Sequence, residues 1–287
     1  MLSEERRREI ATFLRIRRAR LTPDDLQLPA WGRRRTPGLR REEVAALAGV
    51  STEWYTWLEQ ARDVRPSREV LERIAAALRL EPSATQYLLT LAGHGSNGPQ
   101  VRAVTITPHI QRLLDRLDPY PAWVYGERWD VVAWNRGAAL LYGNFGAMQG
   151  LERNMLVQMF LRPRMRLVLV DFPRVARGIV AKVREVYARF VDDPWYKEVI
   201  DLLCRESEEF AAWWNERAVE PYEDGVKAFR LPGEQLLTFD FSVLDVRDRR
   251  FANLSLVTYV PLPGTGTLEA MQRLLRAAPV EAAVTGS

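Results

Sequence analysis

Residues 40–60 read RREEVAALAGVSTEWYTWLEQ, and this stretch decides the fold of the first third of the chain. Val44, Ala45 and Ala48 share one face of a helix, at spacings of three and four. Gly49 follows where a left-handed residue ends a helix at little steric cost. Ser51 can then cap a second helix, with Glu53 in its first turn, where the helix dipole favours an acid. Tyr55 and Leu58 continue the apolar stripe, and Val50 joins it at the turn. Ala45 and Gly49 are small where two helices must cross closely. The pattern predicts a helix-turn-helix.

The stripe leaves Ser51, Thr52, Glu53, Thr56 and Trp57 facing outward. In a DNA-binding helix-turn-helix that face enters the major groove. Thr52 and Thr56 suit base edges or thymine methyls, and Glu53 can accept from cytosine N4. Arg40, Arg41, Arg62 and Arg65 flank the motif and suit phosphates, contacts that supply affinity rather than sequence choice. Several of these residues have a second reading. Trp57 also fits packing on a neighbouring helix, Arg41 a surface ion pair, and Glu59 a structural ion pair. The run Arg33–Arg35 fits either a neighbouring groove or a solvated loop.

Charge supports the nucleic-acid reading. Residues 1–92 hold 17 arginines, no lysine and 13 acidic residues, an excess of four that equals the whole formal charge of the chain, +4. Such asymmetry points to an anionic partner for that segment. A chain of 287 residues has room for two domains. No apolar run reaches the roughly 18 residues of a membrane span. The charges Glu4–Arg8 precede no apolar signal core, and Cys204 stands alone, so a cytoplasmic protein is expected.

The first domain, residues 1–92, reads as all-α. A helix follows Ser3 with Ile10, Phe13 and Leu14 at helical spacing, and further helices are expected after Ser67 and Ser83. Residues 93–106, rich in Gly and small polar residues, read as a linker. Residues 107–277 form the second domain, and 278–287 a flexible tail. In the second domain, helical patterns occupy 108–117, 136–143, 148–160, 172–191, 194–217 and 267–277. Strand patterns occupy 122–125, 130–134, 226–230, 235–245 and 253–260. Strands at both ends with helices between them predict an α+β unit with a mostly antiparallel sheet.

Residues 8–92 resemble the helix-turn-helix domain of Xre-type regulators. The run RRRTPGLRREEVAALAGVSTEWYTWLEQARDVRPS (Arg33–Ser67) resembles that of the MmyB-like family of bacterial transcription regulators. Tyr120–Gly143, Glu208–Val219 and Tyr259–Met271 are similar to that family's C-terminal domain. The resemblance implies a PAS-like fold that binds a small ligand between a sheet and covering helices, and so a ligand-responsive, sequence-specific DNA-binding regulator. Two family histidines are replaced here, where the chain reads Arg217-Ala218 and Leu231-Pro232. A homodimer is expected, because paired recognition helices meet successive major grooves about 34 Å apart.

Large apolar residues in the second domain mark a pocket or a plain core. Met155, Met159, Phe160, Phe172, Tyr187, Phe210 and Trp214 lie at helical spacings, and Trp123, Tyr125 and Trp134 lie on the first strands. Arg153, Arg162, Arg164 and Arg166 stand beside this stretch, and one of them, with Arg162 as the candidate, could pair with a ligand carboxylate. The pattern predicts an amphipathic ligand such as a fatty acid. Asn135 reads as a helix cap. No metal-ligand set, cofactor motif or nucleophile–base pair emerges: His94 and His109 stand apart from Cys204, and Gly264–Thr267 lacks the lysine of a phosphate loop. The expectation is a regulator rather than an enzyme. The rival readings are a second domain that serves only to dimerise, and a helix-turn-helix that binds protein.

Overall fold

A computed structural model of the chain describes residues 2–26, 38–94, 106–217, 225–246 and 254–278. The expected linker largely, the expected tail almost entirely, and the run Arg33–Arg35 lie outside them. The chain divides into two compact units that interleave along the sequence. The first comprises Met1–Pro99, Val180–Leu202 and Ala211–Pro221, and the second Gln100–Ile179, Leu203–Phe210 and Tyr222–Ser287.

The first unit contains α1 (Glu4–Arg20), α2 (Arg41–Ala48), α3 (Thr52–Glu59), α4 (Arg68–Ala77) and α5 (Pro82–Leu91). Ile10, Phe13 and Leu14 of α1 meet Val44, Ala45, Ala48, Tyr55 and Leu58 in one buried core. The turn between α2 and α3 forms as the sequence requires. Gly49 is left-handed at φ 65°, and Ser51 Oγ accepts from Trp54 N at 3.1 Å. A Cβ at Gly38 would lie 2.7 Å from Ala19 Cα, so only glycine fits against α1 there. Ser67 caps α4, as its position suggests. Ser83 does not cap α5. The cap is Glu81, and Pro82 opens the helix, where its missing N–H costs nothing.

Later segments complete this unit. Helix α10 (Phe172–Tyr187) gives it Val180–Tyr187, and α11 (Pro194–Glu206) gives it the residues up to Leu202. Ala188 lies in the same core as Phe13 and Leu14. The buried Glu9 of α1 accepts from Tyr87 Oη at 2.6 Å. It also pairs with the guanidinium of Arg217, and Arg184 Nη1 lies 3.6 Å away. Arg184 is fully buried, with its guanidinium carbon 3.8 Å from the centre of the Trp214 ring.

The described strands of the second unit form a five-stranded antiparallel sheet in the order β2-β1-β5-β4-β3. They are β1 (Ala122–Tyr125), β2 (Val131–Trp134), β3 (Gly225–Arg230), β4 (Leu236–Val246) and β5 (Leu254–Pro261). The first two strands precede the helical insertion and the last three follow it, which gives the α+β, PAS-like arrangement. Side chains alternate between the faces. Ala122, Val124, Ala133, Leu254 and Leu256 face outward under Leu114 of α6 (Pro108–Leu117). On the other face Trp123 stands opposite Trp134, Phe241 opposite Tyr259, and Lys227 opposite Phe239.

The helical insertion is more broken than apolar periodicity suggests. Residues 148–160 yield a 3-10 turn (Gly150–Arg153) and then α8 (Met155–Phe160). Asn154 makes the break. It caps Leu156 N at 3.0 Å and donates to Arg128 O at 2.7 Å and Asp130 Oδ1 at 2.8 Å. A short polar side chain that binds backbone in this way competes with helix continuation. Ser207, buried and bonded to Phe210 N, likewise separates α11 from α12 (Glu208–Asn215). A short α9 (Pro163–Val168) begins at a proline that periodicity alone does not reveal.

Asn135 fixes the junction of β2 with α7 (Arg136–Tyr142). Fully buried, it accepts from Ala122 N and Ala138 N, each at 2.9 Å, and donates to Leu114 O and Tyr120 O at 3.2 and 2.8 Å. Asn135→Ala would orphan buried backbone groups on three elements. We expect a loss of about 2–4 kcal/mol, read as a shift of the denaturation midpoint. A shift under about 0.5 kcal/mol would show that those groups find other partners.

Candidate functional site

The start of α3 is open to solvent. Ser51, Thr52 and Glu53 are exposed, and Thr56 and Trp57 are half-buried. Thr56 Oγ1 donates back to Thr52 O at 2.7 Å, which leaves its methyl and lone pairs available. Arg62 and Arg65 are exposed just beyond the helix. The Arg62 guanidinium lies 5.9 Å from the centre of the half-buried Trp57 ring. Arg40 is half-buried at the head of α2 and pairs with Glu42 at 3.3 Å.

Arg41 is engaged elsewhere. Its Nε donates to Glu59 Oε2 at 2.7 Å. Glu59 is buried and also receives Arg18 Nε at 2.6 Å and Nη2 at 2.9 Å. Burial pushes this carboxyl up, but hydrogen bonds from Arg18 and Arg41, with the charge of Arg18, outweigh it and hold it below the usual carboxylate value. Three helices are thus pinned at the base of α3: α1 through Arg18, α2 through Arg41 and α3 through Glu59.

In the second unit, aromatic rings cover the inner face of the sheet. Trp123 meets Tyr142 at 4.7 Å and Tyr259 at 5.0 Å between ring centres. Phe229, Phe239 and Phe241 all lie within 6.1 Å of Tyr259. The hydroxyls of Tyr142 and Tyr259 are 2.7 Å apart. Lys227 enters this layer, only 7% exposed. Its Nζ stands 3.7 Å from the Phe241 ring centre and donates to Tyr259 Oη at 3.4 Å.

An open capped helix beside surface arginines, joined in sequence to a sheet with an aromatic inner face, agrees with the comparisons. The model of the MmyB-like transcription regulator ligand binding domain matches residues 106–275. That of a helix-turn-helix domain matches residues 9–88. The chain belongs to the MmyB-like transcription regulators. No curated protein matches it. Both matched domains are regulatory, so this MmyB-like protein carries a DNA-binding and a ligand-binding domain. Among the described residues no helix is long and apolar enough to cross a membrane.

The candidate ligand residues of this MmyB-like regulator do not form one group. Trp123 and Trp134 lie on the inner face, and Trp134 packs on Phe145 at 5.5 Å. Tyr125 stacks on Trp129 at 5.1 Å. Met155, Met159 and Phe160 are buried along α8, and Phe160 meets Phe210 edge-on at 4.9 Å. Phe172 is buried beneath the Arg166 guanidinium, 4.6 Å from its ring centre. Tyr187 and Trp214 belong to the first unit, where their rings lie 5.5 Å apart. Arg162 is exposed and pairs with Glu152.

The other arginines of that cluster are similarly engaged. Arg166 pairs with Glu209, Arg164 donates to the carbonyls of Leu140 and Leu141, and Arg153 donates to that of Met148. Reading the sequence without pairing its strands passed over Lys227, Tyr142 and Tyr259. Period-two alternation carries a signal for the first: Lys227 shares its face with Phe229, which puts a charge on the apolar side of a strand.

Proposed function

We propose that this MmyB-like regulator reads DNA sequence through the open start of α3, as a homodimer in the cytoplasm. In this reading its second unit binds a small amphipathic molecule such as a fatty acid. The observation that carries the DNA reading is the exposure of Ser51, Thr52 and Glu53 at a capped helix start, with Arg62 and Arg65 beside it. Thr52 and Glu53 would face base edges, and Arg40, Arg62 and Arg65 would face phosphates. Arg41 serves the fold through Glu59 and contributes charge from there.

The ligand would act by favouring one of two arrangements of the DNA-binding units, which requires unequal affinity for the two. Helix α10 supplies residues to both compact units and offers a covalent route for such a bias.

The test compares two variants on the duplex that the native protein selects and on random duplex. Thr52→Ala is expected to lower affinity for the selected duplex by about 1–2 kcal/mol and leave random duplex unchanged. Arg62→Ala is expected to weaken both alike and to reduce the dependence of log affinity on log salt by about one. Equal effects of the two variants on both duplexes would refute the assignment.

A further inference from the structure

We infer that the outer face of the sheet, where β3, β4 and the end of β5 lie bare, is the surface through which two copies of this chain pair. This rests on the reading of the protein as a homodimer, and it names the surface. The outer face is only half covered. Leu114 of α6 packs over Ala122, Val124, Ala133, Leu254 and Leu256, on β1, β2 and the start of β5. On the other half, alternation brings Val226 of β3, Leu236 and Leu244 of β4 and Val260 of β5 to the outside. They are 41 to 53% exposed, and they account for four of the nine large apolar side chains exposed among the described residues. Exposed apolar side chains gathered on one face mark an interaction site, whereas scattered ones need no explanation.

The charges on this face say what covers it. Arg230 and Asp240 are exposed there, and neither makes an ion pair among the described residues. Arg230 stands opposite Leu236, and Asp240 lies between Val226 and Val260. Four residues of strand, about 13 Å, separate the two charges, so they do not meet within one chain.

One charge of each sign beside an apolar group makes the face self-complementary. A two-fold axis across the strands, through the Ala228–Thr238 pair, lays each Arg230 over the partner's Val226. That position is one strand spacing, about 4.8 Å, from the partner's Asp240. The same rotation brings Leu236 beside the partner's Val260. The Arg230–Asp240 pair then forms twice by symmetry and fixes the register.

The neighbouring sheet edge is already occupied. Strand β3 ends the sheet, but Ala228 O accepts from Val170 N at 2.9 Å and Val226 O from Arg174 Nη2 at 3.3 Å. These bonds use the carbonyls that an added strand would need, so a second copy meets the face rather than the edge.

Analytical ultracentrifugation of the full-length protein over a range of concentrations tests the assignment. The native chain is expected to be a dimer. Asp240→Arg sets like charges against each other and should weaken the dimer at least about tenfold, as should Arg230→Asp. The double variant Arg230→Asp/Asp240→Arg brings opposite charges together again and should restore the dimer, a rescue that misfolding would not give. A native dimer that neither single variant weakens, or single losses that the double variant does not recover, would overturn this surface and leave the homodimer reading standing. A native chain that is monomeric at every concentration would overturn both.

Discussion

Arg184→Ala is expected to destabilise the protein by about 3–5 kcal/mol, the cost of breaking a buried charge pair from one side. Arg184 is fully buried on the stretch of α10 that belongs to the first unit. It lies 3.6 Å from Glu9, donates to the Trp214 carbonyl and covers the Trp214 ring. Truncation removes a cation from a desolvated carboxylate and leaves a void beside an indole. Tyr87 and Arg217 still reach Glu9, which limits the loss. Burial lowers Arg217 to about 10, so it remains a cation at neutral pH.

Denaturation of the full-length variant, followed by circular dichroism, measures the effect. Arg184→Lys should recover only part of the loss, because a point ammonium cannot reproduce the planar stack on Trp214. A midpoint within about 0.5 kcal/mol of native for Arg184→Ala would show the cluster to be energetically neutral.

Glu59→Ala is the second large effect, expected at about 3 kcal/mol with a parallel loss of DNA binding. The substitution leaves Arg18 and Arg41 without the carboxylate that they share, and removes the ion pairs that tie α3 to α1 and α2. Glu59→Gln keeps the shape and should lose most of the same stability. The pH dependence has a definite sign. The folded carboxyl titrates below its ordinary value of 4.5, so its contribution is complete above about pH 4.5 and disappears as pH falls through the lower folded value. Acid titration of the native protein should therefore show a stability loss below about pH 4.5 that Glu59→Gln lacks. Parallel acid profiles for the two proteins would contradict the arginine-held carboxylate.

How much of this was legible in the sequence varies with the range of the interaction. Local chemistry read well. The left-handed Gly49, the Ser51 cap and the buried stripe from Val44 to Leu58 all depend on neighbours within a few residues. Asn135 was read as a cap, but its bonds to Leu114 and Tyr120 were not, because only the folded sheet brings those carbonyls near. Strand positions were close to those observed, whereas the strand order that places Lys227 beside Phe241 and Tyr259 depends on pairing across the sheet. Helix boundaries failed where a polar side chain, Asn154 or Ser207, found a better partner than the helix. The Glu9 cluster was invisible, since Arg184 and Arg217 lie far along the chain and resemble ordinary surface arginines.

The central claim is that the start of α3 reads DNA sequence, and selection from a random duplex library tests it most directly. The native full-length protein is expected to enrich a motif of two related half-sites, spaced by about 10 base pairs as paired recognition helices require. Thr52→Ala should flatten the motif at one position of each half-site. Recovery of no motif, with binding that responds only to salt, would contradict the account.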